Sequence, residues 1–228
     1  MKRLKNLSII AVSMAVLGGS ALLGLNSCSD PNIINIKSGS GKVYNISYSK
    51  GRSRLHELAK TAKKEDAWLY VNEKWYDVGY SEEETQTYLA ADSITRLLKE
   101  DQGEAILTHI HPHSTEYQIF PPAPFDIASH AQLKKEARKN PKIEFKSEVY
   151  DGYGVWRYDT TESIESKIEG AGGGVYAFFG LPHQVEKLRK RILEDNSLSR
   201  KERIERYIEA SKELGIILTY TLIESFKK

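Results

Sequence analysis

The chain has 228 residues, with 33 Lys or Arg and 31 Asp or Glu, so its formal net charge is only +2. This balance excludes the strongly basic surface with which proteins bind nucleic acid, and the single cysteine excludes a disulfide within the chain. A hydrophobic content of 40% is ordinary for a globular protein and, over this length, is sufficient for one domain with a sizeable core.

The first 27 residues have the pattern of a secretory signal. Three basic residues precede a run of 19 uncharged residues, 7–25, and a Leu-Asn-Ser-Cys sequence ending at Cys28 follows. That ending resembles the lipobox of bacterial lipoproteins. The resemblance implies that cleavage precedes Cys28, that Cys28 carries lipid, and that residues 28–42 are a flexible tether. An uncleaved membrane anchor is the alternative.

Both arrangements predict a protein attached to a bacterial membrane, in the cell envelope and outside the cytoplasm. Cleavage would remove three basic and no acidic residues, so 30 basic side chains would face 31 acidic ones in the mature chain. We therefore expect the membrane, reached through the N-terminal lipid, as one partner, and no nucleic acid.

From residue 43 to residue 228, hydrophobic periodicity predicts a single globular domain in which strands and helices alternate. Short turns join two pairs of strands into predicted hairpins, and a capping box, Ser199-x-x-Glu202, opens the last helix. The predicted strands are 43–49, 67–71, 75–78, 105–108, 143–150, 155–158, 175–179 and 216–223. The predicted helices are 53–64, 81–99, 127–139, 162–168, 182–195 and 199–214. The alternation indicates an α/β fold in which helices sandwich one mixed central sheet.

The stretch 106–130 carries the residues suited to chemistry. His109 and His111 follow a strand of the buried type, and on an extended backbone their i, i+2 spacing puts both imidazoles on one face, about 6.5–7 Å apart. Asp126 follows a Pro-rich loop where a helix should begin. Two imidazoles and one carboxylate leave one position of a tetrahedral ion open, as in catalytic zinc sites. The pattern therefore predicts zinc bound by His109, His111 and Asp126.

The order strand, His-x-His-Pro, loop, Pro-x-x-x-Asp-Ile, helix and hairpin resembles the JAMM (JAB/MPN) metalloenzyme family, especially its RadC-like and bacterial branches. The resemblance covers roughly residues 67–158 and leaves 159–228 as a C-terminal extension of helices and a last strand. It implies a JAMM/cytidine-deaminase-like sheet. The residues that carry it are His109, His111, Pro112, Pro122, Asp126 and Ile127.

The same resemblance implies a zinc-dependent hydrolase that acts on peptide or isopeptide bonds of a peptide or protein substrate. In the family, the two histidines and the aspartate bind zinc, and a glutamate on an upstream strand takes a proton from the attacking water. Glu73 lies in the right region and is favoured for this role, although the pattern places it in a hairpin turn. Glu65 and the run Glu82–Glu84 are the competing candidates.

Ala123 departs from the family pattern, which has serine at this position as a donor to the developing oxyanion. Losing one such donor can cost about 10²–10³ in rate. Whether the chain is an enzyme therefore stays open. The alternative is a binding lipoprotein that keeps a JAMM-like scaffold without catalysis.

Two further interpretations are weaker. The strand end with its two histidines also resembles that of metallo-β-lactamases, but His113 and Ser114 stand where that motif needs Asp and His, and only His130 and His183 remain downstream. The histidines could also form an ordinary surface loop that binds metal incidentally, with Asp126 acting as a helix cap.

Overall fold

A computed structural model of the protein describes residues 42–61, 64–83, 86–89, 91–111, 119–170 and 180–223. The predicted signal, Cys28, His113 and the predicted strand 175–179 lie outside these residues. None of the helices in the described ranges has the length and apolar character needed to cross a membrane.

The strands are β1 (Val43–Tyr44), β2 (Ala67–Val71), β3 (Lys74–Asp77), β4 (Gly79–Glu83), β5 (Gln86–Leu89), β6 (Gly103–Ile110), β7 (Ile143–Tyr150), β8 (Gly154–Thr160) and β9 (Ile216–Leu222). The helices are α1 (Tyr48–Thr61), α2 (Ala91–Glu100), α3 (Pro124–Ala137), α4 (Glu162–Gly170), α5 (Gly180–Leu193) and α6 (Arg200–Glu213).

Seven strands form one mixed sheet in the order β1-β3-β2-β6-β7-β8-β9. Strands β6 and β7 are parallel, and the other neighbouring strands of this sheet are antiparallel. Helix α3 lies between β6 and β7 in the chain and provides the crossover that a parallel pair requires. The predicted α/β class with a mixed sheet is confirmed. Because β9 pairs with β8, the C-terminal residues belong to the same sheet as the histidine strand.

Both faces of the central strands are buried. Leu69 of β2 and Leu107 of β6 belong to one apolar cluster with residues of α2 and α3. Side chains alternate between the faces of a strand, so Trp68 points to the other side, where it packs with Trp75 and with Leu55 of α1. The sheet therefore holds β6 rigidly between two layers, and the end of β6 is a fixed point from which side chains can project.

The C-terminal helices cover the β8–β9 end of the sheet. Trp156 of β8 is completely buried, and Tyr207 of α6 meets its ring edge-on, with centroids 6.1 Å apart. The predicted capping box is confirmed, because the Ser199 side chain accepts from the Glu202 N–H and the Glu202 carboxylate accepts from the Ser199 N–H. These helices therefore help to complete the core of the sheet.

The first predicted strand is wrong over most of its length. Of residues 43–49, only Val43 and Tyr44 belong to a strand, and α1 begins at Tyr48 instead of at Ser53. The Tyr48 ring stacks on Trp75, with centroids 5.7 Å apart and planes 7° from parallel. This tertiary contact outweighs the alternating pattern that favoured a strand.

The predicted helix 81–99 is wrong over its first half. Residues 79–83 and 86–89 form the antiparallel pair β4–β5, and helix begins only at Ala91. The segment contains Tyr and Thr, which favour strands, and this preference outweighs the capping signal at Ser81. Helix α3 also begins earlier than predicted, at Pro124, since a proline is well suited to the first turn of a helix.

Candidate metal centre

Strand β6 brings both histidines to its C-terminal end. His109 pairs with Ala67 of β2 on one side and with Val149 of β7 on the other. His111 follows the strand, and its backbone N–H donates to the carbonyl of Tyr150 at 2.8 Å. Both histidines are buried. Ligand sites of open α/β sheets occur at this end of the strands, so the position agrees with a functional site.

Asp126 reaches the histidines from the first turn of α3. Ala123 is the N-cap residue, and Asp126 occupies the third helical position, close to the N-cap as the sequence predicted. Its Oδ2 atom accepts a hydrogen bond from the Ala123 N–H at 2.6 Å. The start of the helix therefore holds the carboxylate in place, while 22% of the side chain stays exposed.

The three predicted ligands converge. Asp126 Oδ2 lies 3.1 Å from His109 Nε2 and 3.6 Å from His111 Nε2, and the two Nε2 atoms are 3.2 Å apart. Zinc with bonds of about 2.0–2.1 Å in tetrahedral geometry holds its ligand atoms about 3.3 Å apart. Two imidazole nitrogens and one carboxylate oxygen at these separations fit a single metal ion. They are also the ligand types that zinc takes in catalytic sites.

The electrostatics favour a cation at this point. Burial acts to raise the pKa of Asp126, but the charge and hydrogen bonds of His109 and His111 outweigh it and hold that pKa well below its usual range. The Nδ1 atom of His111 lies 3.4 Å from the Phe120 carbonyl. A proton on Nδ1 directed at this carbonyl leaves Nε2 with its lone pair towards the cluster, which is the tautomer that a metal ligand needs.

The structure brings Glu65, and not Glu73, to the histidines. Glu65 lies two residues before the start of β2, and its Oε1 atom lies 3.9 Å from His111 Nε2. Glu73 lies in the β2–β3 turn with a φ of 59° and is exposed, at the opposite end of β2 from the Ala67–His109 pair. Because a strand rises about 3.3 Å per residue, the length of β2 keeps the Glu73 carboxylate away from the cluster. Both glutamates were candidates from the sequence, but the sequence contains no signal that shows which end of β2 faces the metal ligands.

The remaining candidates from the sequence are the run Glu82–Glu84 and two histidines further along the chain. Glu82 and Glu83 belong to β4, and Glu84 lies outside the described residues. His183 is exposed on α5, whereas His130 is buried on α3 and hydrogen-bonds elsewhere. Among the His, Cys, Asp and Glu residues that the structure describes, only His109, His111 and Asp126 form a group of three that lie close enough to share a metal ion.

Comparisons of this chain with models of protein families, with curated proteins and with solved structures gave no match.

Proposed function

We propose that this chain is a membrane-tethered, zinc-dependent hydrolase of JAMM-like fold that cleaves peptide or isopeptide bonds. The observation that carries the proposal is the convergence of His109, His111 and Asp126 at separations that suit one tetrahedral ion. The position of the three residues between β6 and α3, where the family has its ligands, supports the resemblance. Three protein ligands leave a fourth position for a reactant.

Glu65 replaces Glu73 as the general base of this proposal. Its carboxylate lies beside His111 and stays 19% exposed, so it borders both the cluster and solvent. When bound at such a site, zinc activates water by lowering the pKa of that water towards about 7. Glu65 then accepts the proton from the attacking water and returns it to the leaving nitrogen, which requires a carboxylate within reach of one water.

A non-catalytic binding lipoprotein is the second candidate, and Ala123 favours it. This residue is the N-cap of α3, and its side chain has no hydrogen-bonding group. Its backbone N–H is already directed at Asp126 Oδ2. An oxyanion donor at this position would therefore have to come from elsewhere, and a chain without one would keep the metal but lose most of the rate.

The test uses the full-length protein in detergent, with matched glutamate variants. We expect about one zinc ion per chain, lost in the His109→Ala/His111→Ala variant. We expect Glu65→Gln to keep the zinc and to lower hydrolysis of a peptide library by at least 10²-fold. Glu73→Gln is the matched control and should leave both zinc content and rate unchanged.

The outcomes separate the two candidates. A protein that holds no zinc, and whose stability does not respond to a chelator, would exclude a metalloenzyme. Zinc at full occupancy without detectable turnover of peptides or isopeptide-linked peptides would favour the binding protein. A loss of turnover in Glu73→Gln but not in Glu65→Gln would contradict the assignment of the base.

The membrane attachment is a separate part of the proposal and rests on the sequence 1–28. Lipid on Cys28 would place the metal-binding domain at the surface of a bacterial membrane, outside the cytoplasm. The wild-type protein should then partition into the detergent-rich phase of a cloud-point separation. Equal partitioning of the Cys28→Ala variant, with the signal cleaved in both proteins, would exclude the lipid anchor.

A further inference from the structure

A buried hydrogen-bonded chain leads from the surface towards the metal centre. His130 lies one helical turn after Asp126 on α3 and is completely buried. Its Nδ1 atom lies 2.8 Å from Ser147 Oγ on β7, and its Nε2 atom lies 2.9 Å from Asp159 Oδ1 on β8. Asp159 is 46% exposed, so this end of the chain reaches solvent.

The chemistry of the groups fixes the direction of each hydrogen bond. Burial acts to raise the pKa of Asp159, but hydrogen bonds from His130 and Lys134 hold it well below its usual range, so the carboxylate is ionised and can only accept. His130 therefore donates from Nε2. Burial lowers the pKa of His130, so the ring is neutral and Nδ1 must accept. Ser147 is consequently the donor to His130.

Tyr158 connects this chain to the metal ligands. It lies directly opposite Ser147 in the β7–β8 pair; burial raises the pKa of Tyr158 well above its usual value, and the Ser147 hydroxyl acts in the opposite direction, so the two hydroxyl groups are neighbours. Because the only hydroxyl proton of Ser147 is used by His130, a bond between the two hydroxyl groups would have Tyr158 as its donor. The Tyr158 ring meets His109 edge-on, with centroids 6.5 Å apart and planes at 85°, and it also contacts the His130 ring at 5.4 Å.

This arrangement is not a nucleophilic triad, although it contains Ser, His and Asp. Ser147 is 1% exposed, and its proton already belongs to a bond with the imidazole. No substrate can reach its oxygen without unpacking the sheet from α3. The chain is instead suited to holding Tyr158 in one orientation against His109.

We propose that Ser147, His130 and Asp159 are positioning residues that act through Tyr158 to fix the His109 ring as a metal ligand. The inference rests on the proposed function, since it presumes that His109 binds a metal. Outer groups that orient a ligating imidazole commonly change metal affinity by about 10–100-fold when removed. Here the orientation comes from packing against a tyrosine whose hydroxyl is anchored, and the anchor extends through three further residues to the surface.

The test removes single hydroxyl groups from the full-length protein in detergent. In Tyr158→Phe and in Ser147→Ala we expect zinc affinity to fall by about 10-fold, as measured by competition with a chelating dye. Bound Co²⁺ reports ligand geometry, so its visible absorption should also shift in both variants. The double variant should lose no more affinity than either single variant, because both changes interrupt one chain.

Thr108→Val is the matched control. Thr108 is completely buried on the same strand as His109, but it points to the opposite face of the sheet, because its partner Trp68 packs towards α1. Removing its hydroxyl should change neither zinc affinity nor the Co²⁺ spectrum. A loss of affinity in this variant as large as in Tyr158→Phe would assign the effect to general loosening of the strand and overturn the proposal.

The failures of the two proposals are distinguishable. A wild-type protein that binds neither Zn²⁺ nor Co²⁺ overturns the metal centre, and this inference with it. A wild-type protein that binds both ions, with Tyr158→Phe binding them equally well and with an unchanged spectrum, overturns the inference alone. If Ser147→Ala does not fold, Tyr158→Phe decides the question, since it preserves the ring and its packing.

Discussion

Glu65 and Asp66 are adjacent in the chain but lie in different surroundings. The Glu65 carboxylate is near His111, whereas Asp66 lines a small pocket between α1 and the sheet with Trp68, Trp75 and Asp77. Burial and the neighbouring Asp77 raise the pKa of Asp66 from 3.8 to about 7. The folded protein therefore binds a proton at Asp66 under conditions in which the unfolded chain has released it.

The raised pKa of Asp66 predicts that the protein loses stability as the pH rises to neutral values. Because the folded-state pKa of the acid is raised, the folded state is favoured while Asp66 is protonated, and stability falls as the pH rises from about 4 through about 7. Asp66→Asn cannot ionise, so at pH 8 it should be more stable than the wild type. We expect about 1–2 kcal/mol after allowance for solvent screening of this partly exposed side chain.

Urea unfolding of both proteins at pH 5 and pH 8 measures the difference. The advantage of Asp66→Asn should shrink at pH 5, where the folded wild type is itself protonated. A constant difference between the two proteins across this range would show that Asp66 does not titrate near neutral pH in the folded state.

The functional residues were predictable to unequal degrees. His109, His111 and Asp126 stand out because their types and spacing match a zinc site, and the structure brings their ligand atoms within 4.8 Å of one another. Glu65 does not stand out, since a glutamate before a strand is common. Nothing local connects Ser147 or Asp159 to His130, because these residues are separated by 17 and 29 positions and meet only through the sheet.

Helix α1 depends on a glycine where it crosses the sheet. A Cβ atom on Gly51 would lie 2.2 Å from the indole ring of Trp75, which is 2% exposed and packed on all sides. The absence of a side chain at Gly51 therefore sets how closely α1 approaches β3. Tyr48 stacks on the same indole, so the glycine and the tyrosine together seat the helix.

Gly51→Ala should destabilise the protein by about 1–2 kcal/mol. The clash with an immobile ring costs about 1–3 kcal/mol, and the gain in helix propensity of up to about 1 kcal/mol offsets only part of it. Gly180→Ala at the start of α5 is the matched control, since a Cβ there meets nothing within 4 Å. Equal free energies of unfolding for the two variants in urea would contradict this packing.

Hairpins and the histidine strand were predicted correctly, whereas the segment around β4 and β5 was not. The β2–β3 and β7–β8 hairpins have short turns between strongly β-prone runs, and such signals are local. In residues 79–89 a local capping signal and local strand preference disagree. The pairing of β4 with β5 decides between them, and a pairing partner is not visible in a window of a few residues.

Metal binding should stabilise the whole molecule. The ligands come from β6 and from α3, which meet only in the folded chain, so a metal that binds them favours the folded state. A free zinc concentration 100 times the Kd adds about 2.7 kcal/mol, which raises the Tm of a domain of this size by roughly 5–10 °C. Thermal unfolding with zinc and with a chelator measures the shift.

The His109→Ala variant tests the origin of that shift. It removes one of the three ligand side chains and should show no difference between zinc and chelator beyond 1–2 °C, which is about the effect of weak surface binding. A shift in His109→Ala as large as in the wild type would indicate that zinc stabilises the protein through other groups.

The types and order of most elements follow from the sequence itself, because periodicity, turn residues and caps act over a few neighbouring positions. The three ligand types follow in the same way. The tertiary structure alone decides that these ligands converge, that Glu65 is the carboxylate beside them, and that Tyr158 and His130 lie behind His109. The positions of Asp126, Tyr158 and His130 depend on the parallel register of β6 and β7 and on the path of α3 between them, whereas the position of Glu65 depends on the antiparallel register of β2 and β6. Such long-range pairing is set by packing of the whole core, which no short stretch of sequence encodes.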